Sequence, residues 1–299
     1  MPHAPLKTPI LFILFNRPDT TQVVFNAIRK IKPLRLYVAA DGPRPTVQTD
    51  LKRCADTREI IKGVDWDCEV KTLFREKNLG CGKGVSSAIT WFFQQEPEGI
   101  ILEDDTVPSD SFFWFCQELL EKYRNDNRVM HIGGNNFLDE SPGNKNCSYY
   151  FSRNGHIWGW ATWQRAWKTY DFKISLYEQL KEEGFFDEFF LNRFEKYYRM
   201  RKFNQVHDGS LDTWDYQWDF ARFVNSGLSI APQKNLVKNI GFGVDATHTV
   251  SANSKNSELH ASDLDFPLKH PPFVLRDIEK DRMYFSKFFK DMILSKFKR

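Results

Sequence analysis

The stretch "ILFILFNRPDTTQVVFNAIRKI" (10–31) changes its period midway. Its first six residues are continuously apolar, as a strand covered on both faces requires. After Asn16–Pro18, the apolar residues Val24, Ala27, Ile28 and Ile31 recur at helical spacing, behind Asp19 or Thr20 as the capping residue. The same strand-then-helix pattern repeats downstream. "LRLYVAA" (34–40), "CEVKTLF" (68–74) and "GIIL" (99–102) read as strands, while "DLKRCADTREIIKG" (50–63), stopping at Gly63, and "KGVSSAITWFFQQE" (83–96) read as helices. Such alternation predicts parallel βαβ units and a doubly wound α/β sheet.

Beyond Asp105 the pattern loosens. "DSFFWFCQELLEKY" (110–123) is a helix with an aromatic face, and "RVMHIGG" (128–134) and "GLSIAP" (227–232) are further strands. Residues 135–156 read as loop, 160–225 as mostly helical and aromatic, and 241–272 as polar and irregular. Neither internal repeats nor a Pro/Gly/Ser linker divide the chain, so one continuous fold over 1–275 is expected, followed by a basic amphipathic helix over 276–299.

The chain's 299 residues can bury a sizeable core. Aromatic residues make up 15%, with 27 Phe and 9 Trp, enough to line a groove as well as a core. A net charge of +3 argues against a dedicated nucleic-acid binder. The five cysteines, Cys54, Cys68, Cys81, Cys116 and Cys147, show no CxxC or metal spacing, and their odd number fits reduced thiols. The N-terminal apolar run is shorter than a signal-peptide core, and no stretch approaches the roughly 20 apolar residues of a membrane span. A cytoplasmic protein is the expectation.

In an open parallel sheet, ligands sit beyond the carboxyl ends of the strands. Here those ends carry Asn16 and Arg17; Asp41 and Gly42; Arg75, Lys77 and Asn78; and Glu103, Asp104 and Asp105. Carboxylates without cysteine suit a hard cation, Mn²⁺ or Mg²⁺, held between protein carboxylates and substrate phosphates. Arg17, Arg75 and Lys83 would then face those phosphates. "NLGCGKGVSSA" (78–88) lacks the phosphate-loop spacing, since Lys77 stands where its first glycine belongs and Gly84 follows Lys83. Backbone amides at the start of its helix can still meet an anion, or the segment is a plain strand-to-helix turn. "HIWGWATWQRAW" (156–167) offers Trp158, Trp160 and Trp163 as a stacking wall for a sugar, or as packed core, the preferred reading for Trp163 and Trp167.

Taken together, "ILFNRPDTT", "YVAADGPR", "NLGCGKG", "ILEDDTVPSDSFFWF" and "GWATWQRAW" resemble the nucleotide-sugar-dependent glycosyltransferases of the GT-A fold, bacterial polysaccharide-type sugar transferases and, more distantly, N-acetylglucosaminyltransferase I. The resemblance covers roughly residues 9 to 250. It implies a nucleotide-sugar-binding half over about 9–135 and an acceptor-side half over about 136–275. The donor would be a nucleotide-diphosphate sugar and the acceptor a glycan or a lipid-linked sugar.

Carried onto this sequence, the resemblance makes Asp105 the metal ligand. Asp104 and Glu103 would face the ribose and metal-bound water, Asp41 the base or ribose, and Arg17 the diphosphate. Inverting transfer needs a general base, and "LDTWDYQWDF" (211–220) supplies Asp212, Asp215 and Asp219. The Trp214–Asp215 pair matches the family's base, with Asp212 as the alternative. His248 falls where many such enzymes place a late metal-binding histidine. The helix over 276–299 would suit an anionic membrane surface or packing on the core. A sugar nucleotidyltransferase and a non-catalytic carbohydrate-binding protein compete with this reading. The glycine-free "FNRPDTT" counts against the first, and the intact acidic triplet against the second.

Overall fold

Four parallel strands carry the alternation seen in the first hundred residues. The structure, a computed structural model, describes residues 5–138, 146–242 and 259–297. β1 (Ile10–Leu14), β2 (Arg35–Ala40), β3 (Glu69–Phe74) and β4 (Glu98–Glu103) alternate with the helices α1 (Pro18–Ile31), α2 (Gln48–Glu59) and α3 (Gly80–Phe93). They lie side by side in the order β3-β2-β1-β4. α2 runs on into a 3₁₀ turn that ends at Gly63.

The second half extends the same sheet. β5 (Thr106–Pro108), α4 (Asp110–Lys122), β6 (Val129–Gly133), β7 (Tyr149–Ser152) and β8 (Trp160–Trp163) come first. α5 (Gln164–Trp167), α6 (Tyr177–Glu182), α7 (Arg193–His207), α8 (Asp215–Val224), β9 (Leu228–Pro232), β10 (Val237–Asn239) and α9 (Ile278–Phe297) follow. The eight-stranded sheet has the order β3-β2-β1-β4-β8-β6-β9-β7, and β5 and β10 pair separately. β8 is antiparallel to both neighbours, β4 and β6, while β6 and β9 are parallel. The result is a mixed, mainly parallel, Rossmann-like α/β sheet.

Two strands depart from the sequence-based expectation. β8 lies in a region read as helical and β7 in one read as loop. All four residues of β8 are buried, so it shows neither polar alternation nor a helical stripe. Strand alternation splits the core between the sheet's two faces. Ile10, Phe12 and Leu14 pack with Phe25 of α1 and Phe115 of α4. Leu11 and Ile13 pack with Phe92 of α3 and with Trp160, Trp214 and Trp218. A third cluster, including Phe186, Phe203, Phe220 and Phe223, holds α6, α7 and α8 together.

Parallel register places the site. Ile13 of β1 pairs with Glu103 of β4, so the turn after β1 lies against the acidic triplet.

Candidate active site

β4 ends at Glu103, and the Thr106 hydroxyl donates to the Glu103 carbonyl at 3.0 Å, closing a tight turn. Asp104, 3% exposed, accepts the Phe15 amide at 3.2 Å. The Arg17 guanidinium bridges the two aspartates, bonded to Asp104 and, at 2.9 Å, to Asp105. Burial works against the Arg17 cation, but Asp104 and Asp105 outweigh it and hold the group protonated. Burial raises Asp104 to about 6 against the opposing pull of Arg17. Burial, then the charges of Asp105 and Asp104, raise Glu103 to about 8.

Asp104 and Asp105 thus share one cation, with Glu103 beside them, an oxygen-only cluster of the kind a hard divalent ion takes. Among the described residues no three His, Cys, Asp or Glu side chains converge as a complete ligand set. One or two carboxylates with substrate oxygens completing the shell is the arrangement such ions commonly take. His248 lies outside the described residues. Gly241 closes over the triplet: the Ile240 amide donates to the Asp105 carbonyl at 2.8 Å, and a Cβ on Gly241 would collide with the Asp105 carboxylate. This glycine stood in a region read only as irregular.

Most of the other strand-end residues bond to neighbouring parts of the same wall. The Asn16 amide donates to buried Asp50 at 2.7 Å, bracing the β1–α1 turn against α2. Asp41 accepts the Gly42 amide at 2.9 Å and the Leu79 amide at 3.0 Å, and burial raises its pKa against those bonds. Asn78 donates to the Gly42 carbonyl at 2.9 Å, and Arg75 donates to Ser87 of α3 at 2.8 Å. Burial lowers the Arg75 pKa, with Asp41 opposing. Lys83 is exposed on the first turn of α3.

The amides that open α3 hold a side chain. The Cys81 and Gly82 amides donate to the two oxygens of Asp212, at 3.0 and 2.9 Å. A Cβ on Gly80 or Gly82 would come within 2.5 or 2.6 Å of that carboxylate, so both glycines shape its cradle. The anion that this helix start meets is Asp212 itself, since a carboxylate suits the unpaired amides of a helix N-terminus.

With Asp212 committed to α3, and Asp219 bonded to Arg199 and Arg222, Asp215 stands differently. It accepts the Thr213 hydroxyl and faces a cavity of about 240 Å³ lined by Trp158, Tyr198, Tyr216, Tyr284 and Phe288. Burial raises the Asp215 pKa, with the Thr213 bond opposing. The charge of Asp215 also contributes to raising Glu103, which puts the two carboxylates within electrostatic reach. His156, on the same cavity, is pushed down to about 3 by burial and by Arg199 and Arg222, which keeps it neutral.

The tryptophans separate. Trp158 lines the cavity, at 5.7 Å from the ring of Phe242. Trp160 is fully buried, stacked on His131 at 5.1 Å and on Trp214 at 5.6 Å. The expected sugar-stacking face of Trp160 is thus filled by core rings, because the strand alternation of β8 turns it into the sheet interior. Trp163 is core as well, its indole donating to the Leu120 carbonyl at 3.0 Å.

The cavity also takes Tyr284, Lys287, Phe288 and Asp291 from α9. The 4-residue spacing of Tyr284 and Phe288 was visible in the sequence, but their partner, Tyr198 of α7, at 5.0 Å from Phe288, was not. α9 is anchored by Asp281, which accepts from Arg276, from the Asn154 amide group at 3.1 Å and from the Arg153 backbone at 3.2 Å.

No protein-family model matches the sequence, and no curated protein matches it. Among solved structures, HddC from Yersinia pseudotuberculosis is similar at 9% identity over 53% of this chain and 77% of its own, with a TM-score of 0.32. S. aureus TarS 1–349 is similar at 14% over 56% of this chain, with a TM-score of 0.38; the match spans 49% of that structure. The inositol-1-phosphate CTP transferase from T. maritima is similar at 10% over 85% of this chain and 95% of its own, with a TM-score of 0.40.

Proposed function

We propose that the chain is a metal-dependent glycosyltransferase of the GT-A kind, moving a sugar with inversion from a nucleotide-diphosphate sugar to a glycan or glycolipid hydroxyl. The observation that carries this reading is the Glu103–Asp105 triplet, its two aspartates bridged by Arg17, at the carboxyl end of β4 and within electrostatic reach of Asp215. A divalent cation held at Asp105 would draw charge from the donor diphosphate and make it a better leaving group. Arg17 stands beside it as the fixed cation of the donor side. Asp215 takes the proton of the acceptor hydroxyl as that oxygen bonds to the anomeric carbon and the nucleoside diphosphate departs. Trp158 offers a ring face to the acceptor sugar. Chemistry of this class belongs to the synthesis of cell-surface polysaccharides or glycoconjugates.

Calorimetric titration with a panel of nucleoside diphosphates, with and without Mn²⁺, tests the donor side. Wild type binds one of them only with the metal, and Asp105→Ala abolishes that binding; a wild type that binds none overturns the proposal. NMR of the product from the matching nucleotide sugar tests inversion, and a retained anomer removes Asp215 from the role of base. Pyrophosphate release from a nucleoside triphosphate and a sugar phosphate would assign nucleotidyl transfer instead.

A further inference from the structure

α9 has a second face that the cavity does not use. Tyr284 and Phe288 turn inward, while Phe289, Lys290, Ile293 and Leu294 line an open groove of about 360 Å³ with Phe194 of α7. The rings of Phe194 and Phe289 meet at 5.1 Å, so the two helices present one surface. That surface is unusually apolar for one facing solvent: Phe194 is 50% exposed, Ile293 39% and Leu294 42%. Tyr197, three residues after Phe194 and so on the same side of α7, is 70% exposed. Isolated exposed apolar residues are ordinary, but a contiguous group marks a contact surface.

Its charges say what the contact is. Arg193, with its guanidinium 5.5 Å from the Phe194 ring, and Lys290 are both exposed, and neither has an acidic partner within ion-pair distance among the described residues. Lys196 stands on the same helix, paired to Asp187 at 2.8 Å. Apolar side chains flanked by Arg and Lys on neighbouring helix turns are the pattern of a surface that rests on anionic lipid, with rings and aliphatic groups at the acyl boundary and cations at the headgroups. A second copy of the chain fits poorly, since a two-fold contact places this patch against itself and brings its cations together. No described helix is long and apolar enough to cross a membrane.

We propose that the surface formed by the start of α7 and the outer face of α9, centred on Phe194, Phe289, Lys290, Ile293 and Leu294, docks the protein peripherally on an anionic phospholipid bilayer. The inference stands apart from the proposed transfer reaction. It also moves the membrane-facing side from the Tyr284–Phe288 stripe, which the fold covers, to the opposite one.

Co-sedimentation of the full chain with vesicles of phosphatidylcholine alone, and of phosphatidylcholine mixed with phosphatidylglycerol, tests it. Wild type partitions onto the anionic vesicles and is released by high salt, because headgroup attraction is screened within a Debye length. Lys290→Gln weakens the partitioning about fivefold, the effect of one cation near a charged surface. Leu294→Ser weakens it as well, while both exposed-site variants keep the wild-type melting temperature. Binding absent from both vesicle types, or unchanged in both variants, overturns the proposal. So does a concentration-dependent dimer in sedimentation equilibrium that Leu294→Ser dissociates, which would assign the surface to a second copy.

Discussion

At the ends of β1 to β4, polar side chains are bonded to neighbouring parts of the same wall: Asn16 to Asp50, Asp41 to the Leu79 amide, Arg75 to Ser87, and Arg17 to both Asp104 and Asp105. The Asp215 cavity, by contrast, is assembled from segments far apart in the chain, through the rings of Trp158, Tyr198, Tyr216, Tyr284 and Phe288. The first region positions charge by a hydrogen-bonded frame. The second creates a shape, and of the carboxylates on it Asp219 is tied to Arg199 and Arg222 while Asp215 is held by the Thr213 hydroxyl. Losing a residue from the frame leaves buried polar partners unsatisfied, whereas losing one from the cavity wall changes fit or chemistry with the fold intact.

The largest effect expected from that contrast is at Asp215. Asp215→Asn lowers turnover by about 10²–10⁴-fold, the usual contribution of a general base, while nucleotide binding and melting temperature stay near wild type. Asp215 must be ionised to accept a proton, and burial raises its pKa. The wild-type rate therefore climbs with pH through a value above the ordinary aspartate value of about 3.9, and the Asn variant lacks that limb. A variant that lost donor binding equally would erase the division between the two regions.

The tryptophans sharpen it next. Trp160→Ala costs about 3–5 kcal/mol in denaturant unfolding, as removal of a buried aromatic does. Trp158→Ala costs clearly less stability and lowers transfer to the acceptor instead. Equal losses in both assays would return Trp160 to the sugar-binding wall.

Asp212→Ala comes third, at about 0.5–2 kcal/mol, the range for a lost helix cap. Hydrogen exchange at the Cys81 and Gly82 amides then quickens, which distinguishes loss of the cap from general destabilisation. The last expectation is a slope with pH, not a single loss. In the metal-free protein, Glu103 has a folded pKa of about 8, above its unfolded value of about 4.3. The folded state then holds that proton more tightly, so this stabilisation is full below the unfolded pKa and is lost as pH rises through the folded one. Glu103→Gln cannot ionise, so its melting temperature gains on wild type steadily across that window; a constant difference would mean Glu103 is ionised throughout.

How much of this could be read beforehand follows the same division. β1 to β4 were legible because buried strands between amphipathic helices change period sharply, and the rule that ligands gather at carboxyl strand ends then located Arg17, Asp41 and the triplet. β8 was not legible. Its four residues are buried on both faces, and such a short run does not distinguish strand from helix. The bonding of Asp212 to the start of α3 left no local trace either, since Cys81 lies 131 residues away in the chain.

The order of residues alone was enough for the doubly wound first half and the crowding of acids after β4, because both depend on local period and on neighbours along the chain. Folding in three dimensions assigned the partners. It gave the α3 amides to Asp212, left Asp215 facing the cavity, buried Trp160 and turned α9 so that one side lines that cavity and the other is exposed. Each of these rests on contacts between distant segments, whose geometry is set by the packing of the whole sheet and its helices.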